Sequence, residues 1–464
     1  MKKFRYIEMA GIIRTQILSG FLKPGQFLLP EKELCQVYSI SRNSLRQALD
    51  LLTNEGMLVK MVGRGTMVAK DLDIGQRDAN ILNIVCSFGT SFVSKALPIL
   101  IEKFKVHYPN VQFRRFDTEM SSGDIVKDLS SLGIHADIVI TGDSDMQRLD
   151  LDLFTPLEDI IPEQDLSQSK LMQAFSHNNQ QYAVPLSYSP IFLACNPQLF
   201  AFHGLDLPQG GWNWDNFVEA AKQMTRDSNG DGLNDIYGFG FSTSIFRWPV
   251  LARKYSYSLK QDIDGNLNTE GLSEFLTFIQ QLINKDGICP NMLMNDWAML
   301  SQLFDEGRIG MLLSSTLATN MRNERLPVTI IPIPENPETD KGNLAIAVGL
   351  MIPKVSGNSN LAKQFAQFAI SSEVQRHMAS ETKFLSIYSQ VNRALWTEQE
   401  LKALGLNEDN NNQFYFMNEV LPDPNIEELI AKEMGRFWAG FETPDEVIAR
   451  LKHEFRRIRA SARS

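Results

Sequence analysis

The chain has 464 residues, of which 43% are hydrophobic and 22% charged, and its formal net charge is −10. This length exceeds what one hydrophobic core usually supports, so two or three globular units are expected. The composition is that of an ordinary soluble protein, and the absence of any run of about 18 apolar residues argues against a membrane span.

Charge is divided unevenly along the chain. Residues 1–70 hold 11 Lys and Arg against 5 Asp and Glu, a net charge of +6, which leaves −16 for residues 71–464. A cationic segment suits a polyanion such as DNA, whereas the acidic remainder is repelled by it. The first segment is therefore the candidate for nucleic-acid binding.

The N-terminal 20 residues start with basic residues, but polar residues interrupt the apolar ones at helical spacing. The sequence therefore predicts no secretory signal and a cytoplasmic location. The cysteines are far apart and form no Cys-x-x-Cys pair, which predicts reduced, buried side chains instead of a disulfide or metal site. They are Cys35, Cys86, Cys195 and Cys289.

A helix-turn-helix is predicted between residues 31 and 53. The second helix has one apolar face, because Leu45, Leu49 and Leu52 recur at helical spacing, and Ser41 stands where an N-cap belongs. A shorter helix precedes it, and two such helices packed at a steep angle place the second one in the major groove of DNA.

The polar face of the second helix carries residues suited to DNA. Arginine pairs two donors with guanine and asparagine pairs with adenine, so Arg42, Asn43 and Arg46 suit base reading. Ser41 and Ser44 suit phosphate contact.

Two short strands, at 58–61 and 66–69, are predicted after this helix, joined by Gly63-Arg64-Gly65. The glycines permit a tight turn beside a phosphate, and Arg64 supplies positive charge.

These motifs resemble the winged helix-turn-helix of the GntR family of bacterial transcription regulators over residues 5–70. The resemblance implies DNA contacts at the positions that match the family motif. These are Lys32, Ser41, Arg42, Asn43, Ser44, Arg46 and Gly65.

We place a polar, aperiodic linker at 71–80 and a second unit at 81–464. In the second unit, apolar strands alternate with helices, which predicts a parallel α/β sheet covered on both faces. The expected strands lie near 81–87, 111–115, 136–140, 182–186, 237–241, 309–313, 328–333 and 345–352. The expected helices lie near 92–107, 122–132, 213–225, 270–285, 296–306 and 360–379, and the tail from 425 is expected to be mostly helical.

Residues 81–459 resemble the family 1 extracellular solute-binding proteins, the maltose-binding-like receptors of sugar importers. The resemblance rests on six segments in the family's order: ADIVITGDSDMQRLDLDLFTPLEDII, QYAVPLSYSPIFLACNPQLF, GWNWDNFVEAAKQMT, DSNGDGLNDIYGFGF, FDEGRIGML and FWAGFETPDEVIARLKHEF. It implies a periplasmic-binding-protein-like (type II) body of two α/β lobes with a ligand, most simply a sugar, held between them.

Sugar sites need aromatic faces for C–H patches and carboxylates or amides for hydroxyls. Such residues follow the predicted strands or lie on later polar-flanked segments, although each aromatic side chain could equally belong to the core. The candidates are Phe88, Gly89, Glu119, Asp143, Tyr188, Trp248 and Trp297. For Trp214 and Trp438 the helical spacing favours the core.

An Asp-rich segment reproduces the first half of a calcium loop. Its candidate ligands are Asp227, Asn229, Asp231, Leu233 and Asp235, with Gly232 at the sixth position, but Gly238 stands where the bidentate glutamate belongs. A metal-free turn held by its own side chains is the alternative that this departure favours.

No catalytic motif is found: the histidines form no HExxH pair, and neither a G-x-S-x-G elbow nor a phosphate-cradling loop is present. The sequence therefore predicts a non-enzymatic, homodimeric regulator that binds operator DNA under control of a small molecule, most simply a carbohydrate, without a required cofactor or membrane. Two alternatives remain open: a sugar receptor of a transport system without a regulatory role, and a regulator that senses a non-sugar solute such as a polyamine or peptide.

Overall fold

A computed structural model describes most of the chain, and the linker expected at 71–80 falls outside it except for Asn80. The described residues are 5–18, 22–38, 40–61, 64–70, 80–86, 91–118, 125–131, 134–161, 170–208, 212–255, 257, 267–290, 297–319, 321, 326–336, 342–406, 414–421 and 423–462.

The N-terminal unit, which we call the head, contains the predicted helix-turn-helix and hairpin. Its elements are α1 (Arg5–Leu18), α2 (Glu31–Val37), α3 (Arg42–Asn54), β1 (Leu58–Met61) and β2 (Gly65–Val68). The strands pair antiparallel, with Met61 opposite Gly65.

The head has its own small core, to which α3 contributes the predicted apolar face. Leu45, Ala48, Leu49 and Leu52 are buried against Ile13 of α1 and its neighbours. The Ser41 side chain accepts the backbone N–H of Ser44 at 3.2 Å, as expected of an N-cap.

The second unit, which we call the body, contains two sheets. Its described strands are β3 (Ile81–Cys86), β4 (Gln112–Asp117), β5 (Ile138–Gly142), β6 (Ser176–His177), β7 (Gln180–Gln181), β8 (Val184–Pro190), β9 (Phe192–Cys195), β10 (Tyr237–Gly240), β11 (Ile309–Ser314), β12 (Thr329–Ile331), β13 (Asn343–Met351) and β14 (Phe414–Tyr415).

Helices cover both sheets. They are α4 (Leu97–His107), α5 (Ile125–Ser131), α6 (Asp143–Met146), α7 (Lys170–Gln173), α8 (Pro197–Phe202), α9 (Trp214–Met224), α10 (Trp248–Tyr255), α11 (Leu272–Gln280), α12 (Trp297–Asp305), α13 (Ser359–Ala369), α14 (Ser372–Thr382), α15 (Ser389–Leu395), α16 (Glu398–Ala403), α17 (Met417–Val420), α18 (Pro424–Glu433), α19 (Gly435–Trp438) and α20 (Pro444–Ala462). A π-helical turn (Phe92–Ala96) leads into α4, and another (Gln281–Lys285) follows α11.

The larger sheet belongs to the first lobe and has the strand order β14-β13-β5-β3-β4, with β8 paired to β13. The smaller sheet belongs to the second lobe and has the order β10-β11-β9-β12. One hydrophobic cluster, the first-lobe core, packs on the larger sheet and also on one face of the smaller sheet, where it includes Phe192, Ala194 and Ile309. The other cluster, the second-lobe core, packs mainly on the opposite face of the smaller sheet. The two sheets with their helices form the two lobes.

The described chain crosses between the lobes at three places. Only Ile191 separates β8 from β9, and its backbone N–H donates to the Leu344 carbonyl of β13 at 2.7 Å. The second crossing connects β12 to β13, and the third follows β14, since the helices α18, α19 and α20 pack in the second-lobe core.

The crossings correct the prediction of a purely parallel sheet. β3 is parallel to β4 and β5, as alternation predicts, but β13 is antiparallel to β5 and β8. Strands that enter a lobe from the other lobe arrive at the opposite end of the sheet and therefore run in the opposite direction. The sheets are mixed for this reason.

The single helix predicted at 360–379 is also wrong, because the structure has two helices there. Backbone φ and ψ at Ser371 are −61° and 142°, which is extended, and α14 begins after it. The apolar residues keep a helical period across the break, so periodicity alone does not reveal it.

Candidate functional site

The N-terminal end of α3 presents a cluster of exposed polar side chains. Ser41, Arg42, Asn43 and Arg46 are exposed and Ser44 is half-buried. The Ser41 and Ser44 hydroxyls lie 2.9 Å apart, and the side chains of Arg42 and Arg46 are 71% and 54% exposed. The structure therefore brings together the residues that the sequence assigns to this face.

Glu31, at the start of α2, holds both arginines. Its Oε2 accepts from Arg42 Nε at 3.1 Å and from Arg46 Nε at 3.0 Å. Burial alone would raise the pKa of Glu31, but the hydrogen bonds and charges of the two arginines lower it. Sequence reasoning missed this role, since Glu31 is 11 and 15 residues away from its partners. Lys32 follows it and is exposed.

The hairpin carries the remaining candidates of the head. Arg64 is exposed, and its backbone N–H donates to the Met61 carbonyl at 3.0 Å. Gly65 has φ of +105°, a conformation that side chains with a Cβ rarely adopt. The turn thus requires glycine at this position and leaves the Arg64 side chain at the surface.

A cavity of about 300 Å³ lies between the two lobes of the body. The first lobe contributes Ser91 and 142–145, the second contributes residues after β10 together with Trp297 and Leu317, and the crossing strand β13 contributes Ile346 and Ala347. A pocket at a junction of two lobes is a common position for a small-molecule site.

Two of the sequence candidates, Asp143 and Trp297, line this cavity. Asp143 Oδ1 accepts the backbone N–H of Ala347 at 2.8 Å. Burial raises the pKa of Asp143 to about 7, although the Ala347 hydrogen bond opposes the shift. Trp297 begins α12 and is half-buried, so part of its ring is open to the cavity.

Arg247 lines the same cavity from the second lobe, and sequence reasoning missed it. The residue is only 8% exposed, donates from one terminal nitrogen to the Phe246 carbonyl at 2.9 Å, and its guanidinium carbon lies 5.6 Å from the centroid of the Trp297 ring. Burial lowers the pKa of Arg247 to about 10. A lone arginine between two aromatic residues, Phe246 and Trp248, is the signal that the sequence offered.

Other ligand candidates do not line this cavity. Trp248 is 1% exposed and packs in the second-lobe core against Phe275 and Trp438, which corrects its assignment to a ligand site. Tyr188 is 8% exposed, with its ring 5.6 Å from that of Phe414 in the first-lobe core, which corrects its assignment as well. Both were misassigned because an aromatic residue in a polar-flanked segment can still face inward.

Three candidates, Phe88, Gly89 and Glu119, lie outside the described residues. Trp214 and Trp438, which the sequence assigned to the core, are each 8% exposed and belong to the second-lobe cluster.

An ion pair joins the cavity wall to the second lobe. Arg148 follows α6, and one terminal nitrogen lies 2.5 Å from Glu427 Oε1 on α18. The side chain of Glu427 is 5% exposed, and burial raises its pKa while Arg148 opposes that shift. Movement of the lobes would therefore act on a charge pair whose carboxylate is buried.

The Asp-rich loop forms a turn held by its own backbone. Asp227 accepts backbone N–H groups of Gly230 at 2.6 Å and Gly232 at 2.7 Å, and Asp231 accepts that of Leu233 at 2.9 Å. The Gly232 hydrogen bond is the main cause of the lowered pKa of Asp227. Within the ranges described above, no group of three or more His, Cys, Asp or Glu side chains is arranged to hold a metal.

The cysteines are free thiols, and three of them are buried as predicted: Cys86, Cys195 and Cys289. Burial raises the pKa of Cys86 to about 12 and that of the other two as well. None of the described helices is both long enough and apolar enough to cross a membrane.

The body, with two α/β lobes and a cavity between them, has the architecture of solute-binding proteins. The head, a winged helix-turn-helix, has the architecture of a DNA-binding domain. Residues 94–376 match the family described as bacterial extracellular solute-binding protein, and residues 5–68 match bacterial regulatory proteins, gntR family. The chain belongs to the extracellular solute-binding protein family and carries a GntR-family domain at its N-terminal end.

Curated relatives match through the head. The HTH-type transcriptional repressor NagR of Bacillus subtilis is 43% identical over 65 residues, 14% of this chain and 27% of the relative. The arabinose metabolism transcriptional repressor of Geobacillus stearothermophilus is 32% identical over 89 residues, 19% of this chain and 24% of the relative. The chain thus spans about a quarter of the length of these relatives.

Solved structures match through the body. The substrate-binding protein Lmo0181 of Listeria monocytogenes, in complex with cycloalternan, has a TM-score of 0.67 at 17% identity and covers 82% of this chain and 99% of its own. The MalE domain of Bdellovibrio bacteriovorus, bound to maltotriose, has a TM-score of 0.67 at 18% identity and covers 82% and 100%. At these identities the likeness establishes the fold.

Proposed function

We propose that the protein is a ligand-responsive transcription regulator whose head binds operator DNA and whose body binds a carbohydrate between its lobes. The observation that carries this proposal is the presence, in one chain, of a GntR-family domain with an exposed polar face on α3 and of an interlobe cavity. We divide the chain into a head at 1–70, a linker at 71–80 and a body at 81–464, and we place the protein in the cytoplasm, where DNA is accessible to it.

In this proposal α3 enters the major groove. Arg42, Asn43 and Arg46 reach base edges, while Ser41 and Ser44 contact phosphates. Lys32 from α2 and the hairpin turn of Arg64 and Gly65 contact the flanking backbone. Since such heads read inverted half-sites about 34 Å apart, the active form is a homodimer.

The cavity supports a polyol ligand. Serine hydroxyls and the Asp143 carboxylate offer hydrogen bonds, and Trp297 offers an aromatic face for C–H groups. The solved structures of the same fold from Listeria monocytogenes and Bdellovibrio bacteriovorus hold cycloalternan and maltotriose. No catalytic step is part of the proposal.

The ligand controls DNA binding if it binds one arrangement of the lobes more tightly than the other. Contacts from both lobes favour the closed arrangement, and closure alters how two protomers place their heads. The change in DNA affinity cannot exceed the preference of the ligand for one state, and couplings of this type are commonly about 5- to 150-fold.

The test starts from DNA selected by the full-length protein out of a random-sequence pool. The affinity of the protein for that DNA is then measured by fluorescence anisotropy. Each measurement is made with and without one sugar from a panel of mono- and oligosaccharides. We expect at least one sugar to change the affinity by about fivefold or more. A matched pair of variants assigns the effect to the cavity: Trp297→Ala should abolish it, and Phe441→Ala, at a side chain 75% exposed outside the cavity, should not.

Two results would contradict the proposal. A protein that selects no DNA sequence but binds sugar is a receptor without a regulatory role. A protein that binds sugar and DNA independently has no coupling between its units.

A further inference from the structure

Arg247 is a buried cation in the interlobe cavity without a carboxylate partner among the described residues. Its polar contact is the one hydrogen bond to the Phe246 carbonyl at 2.9 Å, and its buried Nε has no hydrogen-bond partner. A guanidinium removed from water without compensation is costly, so such groups are normally paired.

Two other cations of the body, Lys254, which is buried, and Arg148, which is half-buried, are paired. Lys254, with a side chain 5% exposed, lies 2.9 Å from Glu335, and Arg148 lies 2.5 Å from Glu427. Arg247 differs from them because it lines the cavity, where a bound molecule can reach it. The missing partner of Arg247 is therefore most simply part of the ligand.

We propose that the ligand of the cleft is an anionic carbohydrate, a sugar acid or sugar phosphate, whose carboxylate or phosphate is bound by Arg247. This inference rests on the proposed carbohydrate-binding function of the cavity. A guanidinium presents parallel N–H donors that match both oxyanions, and a desolvated site strengthens such charge-assisted bonds. Trp297, 5.6 Å from the Arg247 guanidinium carbon, places an aromatic face next to the anion site.

The opposite wall orients this ligand. Asp143 and Asp145 line the cavity from the first lobe, where their carboxyl oxygens accept from hydroxyls and, among the described residues, no cation lines the cavity beside them. The anionic end of the ligand therefore faces the second lobe and its hydroxyl end faces the first. One molecule then contacts both lobes through different groups, which favours closure around it.

The first experiment compares ligands on the full-length wild-type protein by isothermal titration calorimetry at constant ionic strength. The probes are D-glucuronate, D-glucose 6-phosphate, D-glucose and maltose. We expect at least one anionic probe to bind about tenfold or more tightly than both neutral sugars. A preference for glucuronate identifies a carboxylate as the anion, and a preference for glucose 6-phosphate identifies a phosphate.

The second experiment removes the charge. Arg247→Gln should reduce the preference for the anionic probe to within about threefold, whereas Arg247→Lys should keep part of it because the charge remains. Arg226→Gln is the matched control, since that guanidinium lies over the Phe202 ring, at 4.5 Å, and outside the cavity lining. If Arg247→Gln does not fold, the proposal is tested by the affinities of wild-type protein and of Arg247→Lys for the anionic and neutral probes.

The outcomes separate this inference from the function on which it rests. If neutral sugars bind as tightly as the anionic probes, the proposal of an anionic ligand is wrong, but the cavity is still a carbohydrate site. An anion preference that survives in Arg247→Gln overturns the role of Arg247. Failure of all four probes and of the wider sugar panel overturns the carbohydrate-binding function itself.

Discussion

Arg42 and Arg64 are both exposed arginines of the head, but they lie on different elements and we expect different effects from their removal. Arg42→Ala should relax sequence preference by about 1–3 kcal/mol at one base pair, because Arg42 reads a base in the proposed docking. Arg64→Ala should weaken binding to all sequences alike, because Arg64 contacts a phosphate in the proposed docking. The slope of log K against log salt concentration should become shallower by about one.

Anisotropy titrations on the selected operator and its single-base variants, repeated over a range of salt concentrations, measure both effects. If the two variants behave identically, the proposed docking of α3 in the major groove is wrong.

Asp143 makes stability depend on pH. Burial raises its pKa from 3.8 to about 7, so the folded protein holds a proton that the unfolded chain has already released. Stability should therefore fall as pH rises between about 4 and 7, by an amount on the order of 4 kcal/mol from this group. Asp145 and Glu427, whose pKa values burial also raises, add to the same trend.

Asp143→Asn should flatten this pH dependence, as measured by urea unfolding at pH 5 and pH 8. The Asp150→Asn variant is the control, because the ion pair with Lys127 and not burial governs that carboxyl, whose pKa is lowered. An unchanged slope in Asp143→Asn would show that Asp143 stays ionised in the folded protein.

Among the elements, β10 packs very closely on α9 in the second lobe. A Cβ built on Gly238 would lie 2.0 Å from the Ala221 carbonyl oxygen and 2.4 Å from its Cα, both of them backbone atoms. Gly238→Ala should therefore destabilise the second lobe by about 1–3 kcal/mol or more, because helix and strand must separate.

Gly435→Ala, in the short helix α19 of the same lobe, is the matched control, since nothing lies within 4 Å of its Cβ position. It should leave the urea midpoint unchanged or raise it slightly, because alanine favours a helix over glycine. Equal midpoints for the two variants would contradict the close approach of α9 and β10.

Most elements of the body could be predicted from periodicity, because the burial of one face is a local property of the sequence. Two of the errors have a common cause. The break at Ser371 lies inside an uninterrupted apolar period, and the antiparallel direction of β13 follows from where the chain crosses between lobes. Neither is encoded in the spacing of nearby residues.

For the whole molecule, we expect two copies of the chain in the active form. On operator DNA with inverted half-sites about 34 Å apart, light scattering coupled to size-exclusion chromatography should give the mass of the DNA plus twice the chain mass. Increasing the spacing by half a helical turn should weaken binding, because the two heads then face opposite sides of the duplex. A strict monomer with and without DNA would exclude the paired-head arrangement.

The sequence by itself determined the head, the two-unit plan and the family of each unit. The Ser41 cap, the Leu45, Leu49 and Leu52 face and the glycine in the hairpin turn depend on neighbours within a few residues, so spacing is enough to predict them.

Only the tertiary structure decided which side chains meet in the cleft. It placed Trp297 and Arg247 on the cavity wall, moved Trp248 and Tyr188 into the cores, and joined Glu31 to Arg42 and Arg46. The physical reason is that burial of an aromatic ring and pairing of a charge depend on chain crossings and on contacts between distant segments, which local spacing does not specify.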